Sequence, residues 1–325
     1  AVEVLDDFLC HVVLDLKIPV LAIAGNHDSP ERLGFASRLL ADRGLHLVGP
    51  LTPTPHVVTL EDADGPVDFC LLPYASAEQL LSTYPEAPQD ATLSYPWLVS
   101  RALGACTSAR RVLIAHAYVV GGEGSESERD LQLGGASAVP LSTFEGFHYV
   151  ALGHLHRSQS LDQGRVRYCG TPYPYSFSEV GQDKGFLDVQ LDGQGLARAQ
   201  AVPLAAPRAV RVLRGSLAEL VAAGRTDPRR EDYVKAELTD QGLILDAMTR
   251  LRSGYPNALH IERLCPPEPP TRGASSADPR KLGDLQLFRC FFAEVSGAPP
   301  TEEEERLFLE ALRATEGGEQ VPCDC

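Results

Sequence analysis

The sequence has no hydrophobic run long enough to cross a membrane. Its longest apolar run, residues 18–24, is interrupted by Pro19 and falls far short of the roughly 20 residues that span a bilayer. Residues 1–16 carry acidic side chains where a signal peptide would carry basic ones. We therefore expect no membrane span, no secretion and a cytoplasmic protein.

Cysteine is sparse and poorly spaced for chemistry. The 8 cysteines include no Cys-x-x-Cys pair, and the only close pair is Cys323 and Cys325. Thiolate metal sites and redox motifs use such close pairs, and disulfide frameworks belong mainly to secreted domains. All thiols are expected to be reduced.

Positive charge is also scarce, because 29 Lys and Arg residues stand against 44 Asp and Glu residues, for a net charge of −15. An acidic chain repels nucleic acid on average. Counted by segment, residues 1–204 hold 13 basic and 24 acidic side chains, residues 265–325 hold 6 and 12, and residues 205–264 hold 10 and 8. Only this middle segment is net positive, so its Arg229, Arg230 and Lys235 are our candidates for DNA contact.

Helical patterns alternate with apolar runs over residues 1–204. The patterns predict helices at residues 2–16, 31–42, 76–83 and 95–104, and buried strands at residues 18–24, 68–72, 111–115, 149–152, 166–169 and 185–191. Such alternation predicts a layered α/β domain.

Three further segments follow this domain. Strand-like and helix-like stretches alternate over residues 205–264, which predicts a small second α/β domain. Residues 265–283 are rich in proline, serine and glycine and are interpreted as a linker. Residues 284–325 are predicted to form a helical hairpin and a tail, in which Gly297 ends the first helix and Thr301 with Glu304 caps the second.

Polar side chains follow three of the predicted strands. These are the Asn26-His27-Asp28 tripeptide after Gly25, His116, and the pair His154 and His156. Open α/β sheets bind ligands at the carboxyl ends of their strands, and a His-x-His pair can turn both rings to one side. Together the three loops predict a shared metal site.

Each loop also allows a purely structural interpretation. Ser29 followed by Pro30 is a common helix start, and a single histidine after an apolar strand is often a buried, hydrogen-bonded side chain. The other histidines lack such settings, and we interpret them as structural or surface residues: His11, His46, His56, His148 and His260.

The three loops resemble those of the calcineurin-like metallophosphoesterases. The longer stretches 25–33 and 170–172 resemble the D subunits of bacterial SbcCD nucleases, and the resemblance covers nearly the whole chain. It implies a metallophosphoesterase-type α/β fold, which is a β-sandwich flanked by helices. A small α/β capping domain and a C-terminal helical hairpin would complete it.

The resemblance also implies a chemistry. Two divalent metal ions, usually manganese, would hold a DNA phosphodiester and activate water for attack on phosphorus. Asn26, His116 and His154 would bind one ion and His156 the other. His27 would face the phosphate and the leaving oxygen, and Asp28 would orient its ring. The implied activities are those of an exonuclease and endonuclease in DNA repair, recombination and replication.

The partners implied by the resemblance are an SMC-like coiled-coil ATPase, which is the C component of the SbcCD complex, and double-stranded DNA ends and hairpins. The C-terminal hairpin would dock the ATPase, and a homodimer within a heterotetramer would associate with the nucleoid. Alternatively, the apolar stripe of the hairpin packs on its own domain.

One part of the family pattern is missing. Family members begin with Asp-x-His and Gly-Asp-x-x-Asp loops, which supply two ligands and a carboxylate bridging both metals, and neither motif precedes Gly25. Three imidazoles and an amide bring no negative charge to two dications about 4 Å apart. We therefore expect an N-terminally shortened nuclease. A phosphodiesterase for small phosphoesters, or a non-catalytic scaffold that binds DNA ends and the ATPase, are the alternatives.

Overall fold

The computed structural model describes residues 2–124, 138–241, 244–264 and 283–316. The chain divides into two compact units between Pro207 and Arg208. In the first unit the helices are α1 (Val2–Cys10), α2 (Pro30–Leu33), α3 (Ser37–Ala41), α4 (Ala77–Thr83) and α5 (Ala91–Gly104). Its strands are β1 (Val20–Ile23), β2 (Leu45–Val48), β3 (His56–Asp62), β4 (Gly65–Leu72), β5 (Arg110–His116), β6 (Tyr149–Gly153), β7 (Gln159–Leu161), β8 (Val166–Tyr168), β9 (Gly185–Asp192) and β10 (Gly195–Pro203).

A six-stranded mixed sheet forms the centre of the first unit. Its order is β3-β4-β5-β6-β8-β7, and the four inner strands run parallel while the edge strands β3 and β7 are antiparallel to their neighbours. On one face, Leu72 and Leu113 pack against α4 and α5. On the other, Phe69 and Ile114 contact both the β1-β2 pair and the β9-β10 pair. This arrangement confirms the predicted layered α/β fold with helices flanking packed sheets.

Most predicted elements of this unit are confirmed, with two corrections. Residues 31–42 form two short helices instead of one, because Gly34 ends α2 and Ala36 has a left-handed backbone with φ +58°. Residues 185–191 are a strand but are not buried: β9 pairs with β10 in a two-stranded sheet, and its side chains alternate between half-buried and exposed.

The first helix lies largely on the surface. Helix α1 continues directly into one π-helical turn, His11–Asp15. The helix predicted over residues 2–16 is therefore confirmed. Of its apolar stripe, Val13 is buried, whereas Val2, Leu5 and Leu16 are exposed. Among the described residues, no helix is long and apolar enough to cross a membrane.

The second unit contains a three-stranded parallel sheet and two helices that pack on it. In chain order these are β11 (Val210–Gly215), α6 (Leu217–Gly224), β12 (Tyr233–Leu238), α7 (Ala247–Gly254) and β13 (Ala258–Arg263). The sheet order is β11-β12-β13, and Leu217, Val234 and Leu251 lie in its core. The predicted small α/β fold of this segment is confirmed.

Two further helices follow, α8 (Asp284–Ser296) and α9 (Glu302–Glu316). Gly297 ends α8 with φ +76°, and Thr301 and Glu304 form the predicted reciprocal cap of α9. The helices meet through a stacked pair of rings, Phe288 and Phe308, at 4.1 Å between centroids. Residues 265–282 of the predicted linker and residues 317–325 of the predicted tail lie outside the described residues.

Candidate metal centre

The three loops singled out from the sequence meet at one edge of the sandwich. Asn26 follows β1, His116 ends β5 and His154 follows β6. The side-chain oxygen Oδ1 of Asn26 lies 2.9 Å from Nε2 of His116, and the rings of His116 and His154 meet edge to face at 5.4 Å between centroids. The structure therefore brings together three of the four predicted metal ligands. His116 and His154 follow the neighbouring parallel strands β5 and β6, and Asn26 reaches them from the β1-β2 sheet.

Two glycines make room for the His116 ring. A Cβ atom added to Gly25 would lie 2.8 Å from Cε1 of His116, and one added to Gly153 would lie 3.0 Å from Nδ1. Both distances are shorter than ordinary carbon contacts. The glycines in these loops are therefore required by the space around the imidazole.

The electrostatic environment keeps His116 neutral. Its ring is largely buried, and burial together with the nearby His154 and His27 lowers its pKa to about 4. A neutral imidazole keeps a lone pair on one ring nitrogen, which is the form that binds a metal ion. His116 is thus prepared to act as a ligand at neutral pH.

His27 and Asp28 lie on the exposed side of the same loop. One carboxylate oxygen of Asp28 accepts a hydrogen bond from the backbone N–H of Gly25 at 2.6 Å, which closes the loop beneath Asn26. The predicted roles of His27 toward a phosphate and of Asp28 toward the His27 ring stay predictions.

His156 is held by residues that the sequence analysis missed. Its Nδ1 lies 2.9 Å from Oε1 of Glu179, which is fully buried. The other oxygen of Glu179 accepts a hydrogen bond from Nζ of Lys184 at 2.6 Å. The two partners lie 23 and 28 residues beyond His156 in an irregular segment, so no periodicity or short spacing points to them.

The side-chain atoms that could bind a metal ion are spaced as in part of a metal centre. Two atoms bound to one cation at about 2.1 Å and at a right angle lie about 3 Å apart, close to the 2.9 Å between Asn26 and His116. Amide oxygen and neutral imidazole are ordinary ligands of divalent transition metals. However, among the described residues no group of three or more His, Cys, Asp or Glu could hold a metal ion. These residues do not fit a complete two-metal centre.

The candidate DNA-contacting side chains lie in the second unit, and each has a carboxylate nearby. Nζ of Lys235 lies 2.5 Å from Glu262, while Arg229 and Arg230 lie 3.8 and 3.9 Å from carboxylates of neighbouring residues. Arg229 is the most exposed of the three. A phosphate would have to compete with these ion pairs, and its binding here stays a prediction.

Comparison with known proteins gives two findings. Residues 206–296 match the model of the SbcD_C family, described as "Type 5 capsule protein repressor C-terminal domain". The chain is also similar to the D component of the nuclease SbcCD of Staphylococcus epidermidis, with 28% identity over 274 residues that cover 81% of this chain and 70% of that protein. Because the first unit ends at Pro207, an alignment of this length includes parts of both units.

Proposed function

We propose that this chain, a relative of the D component of the nuclease SbcCD, is part of a metal-dependent nuclease and hydrolyses DNA phosphodiesters. The observation that carries the proposal is the convergence of the Asn26, His116 and His154 loops at one edge of the sandwich. The sequence similarity to that nuclease component, which includes parts of both units, also supports the proposal. Exonuclease and endonuclease action, and roles in repair, recombination and replication near the nucleoid, are parts of the proposal.

In this function Asn26, His116 and His154 would hold one divalent ion, with manganese as the first candidate. His156 would contribute to a second ion only together with carboxylate ligands that the described residues do not supply. A bound ion of this type supplies Lewis acidity and an acidified water molecule. The exposed His27 ring would donate a proton toward the leaving oxygen. Asp28 would keep the loop closed through the Gly25 N–H.

A non-catalytic scaffold is the second candidate function. The absence of a carboxylate-bearing metal group among the described residues favours it, because two adjacent dications need negative ligands. In that case the same chain would bind DNA ends and an ATPase without hydrolysing DNA.

The C-terminal hairpin is the proposed attachment site for the partner, an SMC-like coiled-coil ATPase. After α8 and α9 pack through Phe288, three apolar side chains of α8 remain exposed at four-residue spacing: Leu287, Phe291 and Val295. Residues four apart lie on one face of a helix. This exposed row offers a surface on which a partner helix could pack, and a homodimer within a heterotetramer would complete the assembly.

The test is Mn²⁺-dependent hydrolysis of double-stranded DNA and of a simple phosphodiester by the full chain, alone and with the ATPase. We expect His27→Ala to lower hydrolysis about 100-fold or more while Mn²⁺ binding persists. His154→Ala should lose both DNA hydrolysis and Mn²⁺ binding. His11→Ala, an exposed histidine paired with Asp15 outside the loops, is the control and should change neither.

Two results would reject the nuclease proposal. Hydrolysis by His27→Ala at the wild-type rate would remove the role given to His27. DNA and ATPase binding without any hydrolysis by the wild-type chain would establish the scaffold instead.

A further inference from the structure

We propose that Cys70 and Cys106 are a redox-reactive thiol pair, which hydrogen peroxide converts to a disulfide. Cys70 lies on β4, and Cys106 follows α5, 36 residues later in the chain. In the reduced protein their sulfur atoms lie 3.2 Å apart. The tertiary fold thus pairs two cysteines that no short sequence spacing connects. Neither thiol belongs to the candidate metal centre, so this inference is independent of the proposed function.

Hydrogen bonds hold the segment that follows α5 against β4. The buried carboxylate of Asp68 accepts hydrogen bonds from the backbone N–H groups of Thr107 and Ser108 at 2.6 and 2.7 Å. Asp68 and Cys70 lie two residues apart on β4, so their side chains point to the same face of the sheet. Sγ of Cys70 donates to the carbonyl oxygen of Ala102 in α5 at 3.2 Å. The backbone on both sides therefore keeps the two sulfur atoms in contact.

The distance between the sulfur atoms is close enough for a bond to form with a small movement. A disulfide bond is about 2.05 Å long, so the atoms need to approach by roughly 1 Å. Cys106 lies beyond the end of α5 and is half-buried. Of the described residues, none lies within 4 Å of a Cβ added to Gly104, two residues earlier. The chain around Cys106 therefore has space to shift without displacing the buried strand β4.

The two thiols differ in their access to solvent and in their acidity. Cys70 is fully buried, whereas Cys106 is half-buried. The hydrogen bond between the sulfur atoms lowers the pKa of Cys106, while the same contact and burial raise the pKa of Cys70. The thiolate is the reactive form of cysteine, and redox-sensing cysteines combine a lowered pKa, solvent access and a neighbouring thiol that resolves the first product. We therefore assign the first attack to Cys106 and the second to Cys70.

The reaction consumes one molecule of hydrogen peroxide. The Cys106 thiolate attacks a peroxide oxygen, the O–O bond breaks, and the hydroxide that leaves takes up the proton released by Cys106. Sγ of Cys70 then attacks the sulfur of the Cys106 sulfenic acid. The S–O bond breaks, the S–S bond forms, and the second hydroxide leaves as water with the Cys70 proton. Two thiols and one peroxide give one disulfide and two water molecules, and two electrons pass from sulfur to oxygen.

The test is peroxide treatment of the folded, reduced full chain, followed by trypsin digestion and mass spectrometry. Because Arg101 lies between the two cysteines, trypsin places them on separate peptides, residues 44–101 and 102–110. We expect these peptides to appear as a linked pair, lighter than their sum by two hydrogen atoms, which dithiothreitol separates. The measurement uses the wild-type chain, so it does not depend on the folding of any variant.

Three variants test the separate roles. Cys70→Ser keeps a hydroxyl that can donate to the Ala102 carbonyl but removes the resolving thiol, so Cys106 should stop at the sulfenic acid, which dimedone traps, and then proceed to the sulfinic acid. In Cys106→Ser the fully buried Cys70 should remain a thiol. Cys169→Ser is the control, because it removes another half-buried thiol, whose pKa is raised by burial. It should leave the amount of linked peptide unchanged.

Absence of the linked peptides from the peroxide-treated wild-type chain would overturn the proposal and leave the two thiols as a packing contact. Linked peptides found only in covalent dimers on a non-reducing gel would overturn it as well, because the bond would then join two chains. Faster oxidation of Cys70 in Cys106→Ser than of Cys106 in Cys70→Ser would overturn the order of attack.

Discussion

At the scale of single residues, the His116 ring depends on the small size of Gly25. We predict that Gly25→Ala displaces the ring from Asn26, because the new Cβ would lie 2.8 Å from Cε1. Crowding of this kind costs about 1–3 kcal/mol. Urea unfolding should register the loss of stability, and Mn²⁺ titration should register weaker binding.

Gly104→Ala is the matched control for this prediction. Gly104 ends α5, its φ is not in the left-handed region, and nothing lies within 4 Å of an added Cβ. Its stability should change little, within about 0.5 kcal/mol. Equal losses in both variants would show that the His116 ring does not need the space beside Gly25.

The buried carboxylate of Asp68 gives the protein an acid-sensitive contact. Burial alone would raise its pKa, but hydrogen bonds from Ser108, Thr59 and Thr107 outweigh that effect and lower the pKa to about 2. Because its folded-state pKa lies below the ordinary value of 3.8, the ionised carboxylate stabilises the folded protein at pH values above 3.8. The contribution, roughly 2 kcal/mol, is lost as the pH falls from about 4 through 2.

We therefore predict that the free energy of unfolding falls over this pH window. Asp68→Asn should be less stable at pH 7 and should lose this part of the acid dependence. Urea denaturation of both proteins at pH 7, 4 and 3 provides the measurement. Parallel pH profiles for the two chains would contradict the role of Asp68.

The proximity of three candidate side chains was predictable because each follows a strand. Asn26, His116 and His154 come directly after apolar runs, and β5 and β6 are parallel neighbours whose ends lie together. Glu179 and Lys184 gave no such signal, because their contacts with His156 form only when the segment that carries them folds back onto it. A buried ion pair is specified by tertiary contacts, which the local sequence does not show.

At the scale of elements, the apolar side chains of α8 have two different environments: some pack against α9 and others are exposed. Phe288 stacks on Phe308, whereas Phe291 stays exposed. We predict that Phe288→Ala destabilises the hairpin by roughly 1–2 kcal/mol, which hydrogen exchange of α8 and α9 amides should detect as faster exchange.

Phe291→Ala is the companion variant. It should leave amide exchange in the hairpin unchanged and weaken binding of the proposed ATPase partner about tenfold or more. The partner affinity can be measured by calorimetry with the full chain. Unchanged affinity would place the docking surface elsewhere, and faster exchange would mean that Phe291 supports the hairpin itself.

Element boundaries were predictable to the extent that local signals determine them. The Thr301 and Glu304 cap and the Gly297 stop were predicted from the sequence and are present. The break inside residues 31–42 was not, because the apolar spacing continues across it while Ala36 adopts a left-handed backbone. Strands β2, β3, β7 and β10 were not predicted, and their lengths do not explain this, because β1 and β8 are as short as β2 and β7 and were predicted.

At the scale of the whole molecule, the net charge of −15 restricts where DNA can bind. We predict that Arg229→Gln with Arg230→Gln weakens DNA binding and reduces its salt slope by up to about 2, since each phosphate contact contributes about 0.9. Arg306→Gln, an exposed arginine of α9, is the control for removal of positive charge.

Glu262→Gln tests the same surface in the opposite direction. Removing this carboxylate releases Lys235 from its closest ion pair, so DNA binding should tighten and the salt slope should increase. Filter binding or fluorescence anisotropy across a series of salt concentrations measures both quantities. If neither the arginine variant nor Glu262→Gln changed the salt dependence of DNA binding, this surface would not contact DNA.

The hydrogen bond between Asn26 and His116 joins residues 90 positions apart. Closing a loop of that length costs chain entropy before any contact compensates for it, and non-local parallel pairings form slowly. The edge where the three loops meet cannot form before His154 has been synthesised and β1, β5 and β6 have assembled. Under the proposed function, cation uptake at this edge would therefore report that the first unit has folded at least that far.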